Sequence, residues 1–226
     1  EWGKLLTRGG SPSRGLGFLE ETGWLAHYPE LAALRGCPQD PRWHPEGDVW
    51  VHTLMVVDGA RKRLEGLDRG RALAVMLGAV THDFGKPATT AFIDGHIRSR
   101  GHEAAGVAPA TAFLDRLNIH TVDGFDVRRH VLTIVSDHLA PGMWYKSSTP
   151  VGDGAFRRLA ARVDLELLAR VAEADCEGRT GRFDCSAMTW FRERAEALGV
   201  QHAPPAPILL GRHLLDLGVK PGPQMG

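Results

Sequence analysis

His82 and Asp83 stand side by side in "AVTHDFGKPATT", residues 79 to 90, where an apolar run stops and Gly85, Lys86 and Pro87 follow. A neutral imidazole offers a lone pair to a metal ion, and a carboxylate supplies charge and can bridge two ions. A helix C-terminus carries partial negative charge, which favours a cation at that point. Gly85 is expected to take the left-handed conformation that lets the chain leave the helix. Lys86, just beyond, is placed to neutralise a phosphate oxygen as a point charge. One adjacent pair is not a site, so further ligands must come from elsewhere in the chain. His52, His138 and Asp175 are the candidates, because each falls on the apolar stripe of a predicted helix. A lone histidine on such a stripe is more often a hydrogen-bonded core residue. An aspartate there is harder to excuse, since an unpaired buried charge is expensive. Taken jointly, inward acids and histidines relieve one another by sharing a cation.

These residues need helices to hold them, and the apolar spacing reads as helix almost throughout. Helices are predicted over 13–28, 29–35, 49–64, 69–83, 102–117, 125–139, 155–161, 164–177 and 186–198. Pro29 and Gly36 punctuate the second of these, and Asp48 is the expected cap of the third. The 69–83 segment is apolar nearly all round and belongs at the centre of the fold. Loops are expected at 37–48, 84–100 and 141–155, and long loops tend to carry function. The fold class is therefore all-α. It divides into an N-terminal helical segment (1–36), a main domain (37–200) and a Pro-rich tail (201–226).

The 226 residues carry 27 basic and 27 acidic side chains, so no strongly basic surface for long nucleic acid is expected. Eleven histidines are an excess of the commonest metal-ligand type. Three cysteines, Cys37, Cys176 and Cys185, form no CxxC, which argues against a disulfide framework or zinc ribbon and for a reducing cytoplasm. The longest apolar run, residues 72 to 80, is far too short to span a bilayer. No signal peptide opens the sequence. It also lacks an initial Met and stops abruptly, so the natural chain is expected to continue.

His52, His82-Asp83 and Asp175 together resemble the H…HD…D signature of the HD-domain phosphohydrolases, and "HDFGKPATT" resembles the HDxGK form of the motif. "DPRWHPEGDVWVHTLMVVD", "RGHEAAGV", "AEADCEGRTG" and "PILLGRHLLDLGVKPGP" are similar to the C-terminal half of bacterial CCA-adding tRNA nucleotidyltransferases that carry an HD domain. Residues 1–36 resemble the helical segment before that domain. The nucleotidyltransferase head, with its Gly-rich start and Asp-x-Asp pair, is not in the sequence, so nucleotide addition does not carry over. The chain is either a stand-alone HD relative or a piece of a longer enzyme.

The resemblance implies an all-helical, metal-dependent hydrolase holding one or two divalent ions. It names His52, His82, Asp83 and Asp175 as ligands, adds His102 and His138 for a second ion, and makes Asp83 the bridge. Mixed imidazole and carboxylate donors suggest manganese, cobalt, nickel, iron or magnesium. A metal-activated hydroxide would attack phosphorus. Lys86 would steady the phosphate, Arg179 in "EGRTG" would grip its oxygens in pairs, and Thr89 and Thr90 are weaker candidates. The implied substrates are 2′,3′-cyclic or 2′-phosphate esters of nucleotides or RNA ends, with tRNA as a further partner. Trp144 and Tyr145 either stack on a base or pack over the domain edge. Two alternatives stay open: a non-catalytic helical body that holds tRNA, and an HD-type hydrolase of free nucleotides. His27, His44, His96, His120, His130, His202 and His213 are structural or surface by default. His44 and His96 lie in loops near the expected site.

Overall fold

In the computed structural model, which describes residues 1–205, 211–218, 220 and 222, the chain opens with α1 (Trp2–Arg8), α2 (Pro12–Glu21), a 3-10 turn (Trp24–His27) and α3 (Pro29–Ala32). Then come α4 (Val49–Arg61), α5 (Arg69–Thr81), the single turn α6 (Lys86–Thr89), and the hairpin β1 (Thr90–Ile93) and β2 (His96–Ser99). After α7 (His102–Arg116), a second hairpin of β3 (Thr121–Val122) and β4 (Phe125–Asp126) leads into α8 (Val127–Asp137). The rest is α9 (Ala140–Tyr145), α10 (Asp153–Ala160), α11 (Leu165–Glu177), α12 (Ser186–Ala197) and α13 (Gly211–Asp216). The fold is mostly helical, as the apolar spacing predicts.

Aspartates start the long helices. Asp48, Asp68, Asp126 and Asp164 each accept hydrogen bonds from first-turn backbone N–H groups of α4, α5, α8 and α11. Such a cap is worth about 1 kcal/mol. Residues 72 to 86 are buried without a break, so α5 is the axis, and α1, α4, α8 and α11 pack around it. Leu6, Leu16, Leu31 and Leu34 of the N-terminal segment join the same core. Among the described residues, no helix is long and apolar enough to cross a membrane.

Several expectations change. The 13–28 helix breaks after Glu21, because Gly23 turns left-handed at φ 77°. The expected 84–100 loop holds α6 and the first hairpin, and the 141–155 loop holds α9. Residues 125–126 pair with β3 and so delay α8 to Val127. Both hairpins turn on an Asp-Gly pair, Asp94-Gly95 and Asp123-Gly124, with positive φ at all four residues, as a tight two-residue turn requires. Cys176 and Cys185 form a disulfide, against the expectation from the odd count. The short connection between α11 and α12 brings their Cα atoms to 6.0 Å, and the odd cysteine is the buried Cys37. The expected tail at 201–226 lies partly outside the described residues.

Candidate metal centre

The site is built where the C-terminal ends of α5 and α8 meet the N-terminal end of α7. His82 and Asp83 follow α5, His102 begins α7, His138 follows α8, and His52 and Asp175 come from the facing sides of α4 and α11. All six are buried. The structure thus brings the six expected metal-ligand candidates together.

Each imidazole is fixed through Nδ1. His82 donates to the carbonyl of Ala79 at 2.9 Å, His102 to Ser99 at 2.8 Å and His138 to Val135 at 2.9 Å. His52 points Nδ1 at Glu46 Oε1, 2.9 Å away, and at the Gly178 carbonyl, 3.2 Å away. Carbonyls only accept, so the Nδ1 atoms of His82, His102 and His138 carry the proton there, and Nε2 is the atom each of these rings could offer to a metal. The Nε2 atoms converge on Asp83. His82 lies 3.2 Å and His52 4.0 Å from Oδ2, whereas His102 lies 3.3 Å and His138 4.0 Å from Oδ1. One carboxylate therefore faces a pair of imidazoles with each oxygen. Asp175 Oδ1 is 3.0 Å from His52 Nε2.

Two buried atoms in this cluster, His82 Nε2 and Asp83 Oδ2, have no hydrogen-bond partner. Lys86 Nζ lies 2.7 Å from Asp83 Oδ2, close enough for a charge contact. A lone pair facing a carboxylate oxygen inside a protein is costly unless a cation lies between them. The donor set fits a metal ion on that count. Ligand atoms of His52, His82 and Asp83 lie within 4.8 Å of one another, and so do those of Asp83, His102 and His138.

For the two aspartates and His138 the electrostatics agree. Burial would raise the Asp83 carboxyl, but His82 and Lys86 beside it outweigh burial and hold it well below the usual carboxylate range. Asp175 is likewise held low against burial by its bond to His52 and by Arg179. Burial, aided by His82, pushes His138 down to about 3, so its ring is neutral and free to donate. For His52 burial acts downward, but its bonds to Asp175 and Glu46 win and raise it.

A cavity of about 350 Å³ opens over the cluster, lined in part by Lys86, Lys146 and Arg179. Lys86 bonds Gln39 Oε1 at 2.6 Å as well as facing Asp83. Arg179 Nη2 lies 3.5 Å from Asp175 Oδ1. Thr89 does not reach the cavity: its hydroxyl donates to the Gly85 carbonyl within its own turn. Thr90 bonds Lys86 O and Ser99 instead. Trp144 packs against Phe156 and Phe191, while Tyr145 is 44% exposed. His96 contacts Asp40, which borders the cavity, and is not itself among the cavity's lining residues. His44 stacks edge-on at 4.7 Å from His52.

Glu46 is the residue that sequence reasoning missed. Its carboxylate is 1% exposed and accepts from both His44 and His52. It sits in the turn "HPEGD", where no periodicity marks an inward side chain. Gly85 corrects another expectation, since its φ is −84° and not left-handed. A Cβ there would lie 2.0 Å from the His102 carbonyl oxygen, so glycine is needed for close approach to α7.

A mostly helical fold around a buried cluster of histidines and aspartates defines a candidate metal-binding protein. The chain is 38% identical over 191 residues to the "Multifunctional CCA protein" of Cupriavidus metallidurans, covering 79% of this chain and 42% of that protein. The proteins of that name from Burkholderia pseudomallei and Acinetobacter baumannii are 37% and 32% identical, over 75% and 74% of this chain. The chain spans about two fifths of the length of these curated relatives, covering 42%, 39% and 38% of them. No family model matches it.

Proposed function

We propose that this chain is an HD-type metal-dependent phosphohydrolase. It acts on 2′,3′-cyclic phosphate or 2′-phosphate esters of nucleotides or RNA ends, with residues 37–200 as the catalytic unit and 1–36 packed against it. The observation that carries the proposal is the convergence of four imidazole Nε2 atoms on the two oxygens of Asp83. His52, His82, Asp83 and Asp175 would hold one divalent ion, and Asp83, His102 and His138 a second. Such ions supply Lewis acidity and lower the pKa of water. The similarity to the CCA proteins supports an RNA terminus, including that of tRNA, as the natural setting.

The chain's own side chains do the rest. The Lys86 ammonium has three N–H donors; Gln39 takes one, and the ammonium's charge faces Asp83, which leaves donors for a phosphate oxygen. Arg179 is held at the cavity wall by Asp175 and presents its planar fork to the ester. The outward Nδ1 bonds keep the four rings from turning, so their orientation is set before substrate arrives.

The test pairs elemental analysis of purified protein with phosphate release from 2′,3′-cAMP and 2′-AMP under each candidate metal. Asp83→Ala is expected to keep the helical circular-dichroism spectrum while losing metal and turnover together. Turnover by that variant, or tRNA binding with no phosphate release under any divalent metal, refutes the proposal. The second result would favour a non-catalytic helical body.

A further inference from the structure

A second cavity, of about 360 Å³, adjoins the one over the metal cluster. The two share His138, Asp175 and Arg179, so they meet at the candidate ligands themselves. Their walls differ in chemistry. Trp43 and Lys146 border both, but the first adds Gln39, Asp40, His44, Asp83 and Lys86, whereas the second adds Met143, Tyr145, Phe183 and Met188. Three of these are unusually exposed for their type: Trp43 at 57%, Met143 at 62% and Tyr145 at 44%. A large apolar patch left in solvent marks a binding surface.

From this we infer that the annex is a nucleobase subsite, which holds the base of the ester whose phosphate sits at the metal cluster. The inference rests on the hydrolytic reading above and deepens it by naming the residues that would recognise the base of such an ester. A base has a flat π face and a polar edge, and the annex offers partners for both. Trp43 and Tyr145 supply rings for stacking, and the methionine sulfurs of Met143 and Met188 are soft, polarizable neighbours for an aromatic. Arg179 joins the two compartments. Its guanidinium carbon lies 5.4 Å from the Phe183 ring centre, and its buried Nε has no hydrogen-bond partner. Lys146 and Asp184 stand at the annex wall as a donor and an acceptor for a base edge. An aliphatic occupant would leave these charged groups facing hydrocarbon. The volume falls within the roughly 300–1,000 Å³ of small-molecule sites.

Two measurements test this without depending on each other. In the first, saturation-transfer NMR with adenosine, which has no phosphate to hydrolyse, should show transfer to the base protons. That signal should vanish in the Trp43→Ala/Tyr145→Ala double variant. In the second, the ratio of KM for 2′,3′-cAMP to KM for the base-free glycerol 1,2-cyclic phosphate should rise roughly 5- to 150-fold in the double variant, the span of one stacking contact. Both side chains are partly exposed, so the variants should fold. No transfer to adenosine, or an unchanged KM ratio, overturns the base subsite. Adenosine binding in a protein that hydrolyses neither ester would support the subsite and count against the hydrolytic reading alone.

Discussion

Gly85→Ala tests whether the crossing of the 82–86 segment and α7 sets the site. The new Cβ would lie 2.0 Å from the His102 carbonyl oxygen and 2.6 Å from the Gly106 nitrogen. Real Cβ contacts essentially never fall under 3.0 Å, so the backbone must separate by at least about 1 Å. Neither obstacle is a flexible side-chain tip; both are main chain of α7. The helix itself must move, or Gly85 must pull its neighbours Asp83 and Lys86 the other way. Overpacking of this kind costs typically about 1–3 kcal/mol. For a chain of this size that lowers the melting temperature by roughly 2–12 °C. The same shift acts on the 3.3 Å approach of His102 to Asp83. Functional constellations tolerate about 0.5 Å, so metal affinity should fall along with stability. Gly17→Ala is the control: it lies in α2 with nothing within 4 Å of its added Cβ, and should stabilise by about 0.4–1 kcal/mol. Thermal melts by circular dichroism and metal content by elemental analysis read both effects. A Gly85→Ala protein with wild-type melting temperature and full metal content would refute the close-approach reasoning.

Glu46→Gln should leave the fold intact and weaken metal binding about 10- to 100-fold, because it removes the charged partner of His52 Nδ1. Chelator competition measures this, and an unchanged affinity would make Glu46 a bystander. The Glu173 carboxyl is held below its usual range: burial acts upward, but Arg192 and Arg63 outweigh it. Its contribution to stability is therefore full above the unfolded-state pKa and is lost as pH falls through the lower folded value. Urea titrations between neutral and acid pH should show Glu173→Gln losing less stability on acidification than the parent, and identical slopes would contradict the assignment. Cobalt(II)-loaded protein should absorb weakly in the visible, as six-coordinate cobalt does; intense four-coordinate bands would show a closed tetrahedral site.

What could be read in advance followed from helical periodicity. His52, His138 and Asp175 each occupy an apolar stripe, and a stripe says which way a side chain points. The inward ligands were therefore legible one helix at a time, and the 69–83 run marked the axis. What periodicity does not encode was missed. Glu46 points inward from a turn, and only tertiary contact makes it a partner of His52. Asp94-Gly95 and Asp123-Gly124 carried hairpin signals, but strands of four and two residues are too short to show alternation. The left-handed expectation for Gly85 weighed local conformation alone, whereas the close approach of α7 is a non-local fact. Cys176 and Cys185 are separated by nine positions, and only the turn between α11 and α12 makes them neighbours.

The spacing of the donors bears on which cation they suit. A tetrahedral ion with bonds of about 2.0 Å places every pair of ligand atoms roughly 3.3 Å apart. An octahedral ion with bonds of about 2.1 Å gives two distances, roughly 3.0 Å between neighbours and 4.2 Å across the ion. The cluster shows both kinds. Short pairs are His52–Asp175 at 3.0 Å, His82–Asp83 at 3.2 Å and His102–His138 at 3.2 Å. Long pairs are His52–Asp83 and His138–Asp83, each at 4.0 Å. Shared protons do not satisfy the cluster, since a proton links two atoms along one line and leaves the third donor facing a lone pair. An ion with several coordination directions would satisfy all three at once. The mixed imidazole and carboxylate donors are the basis for expecting the weak cobalt spectrum, and Asp83 stands where one oxygen can serve each set.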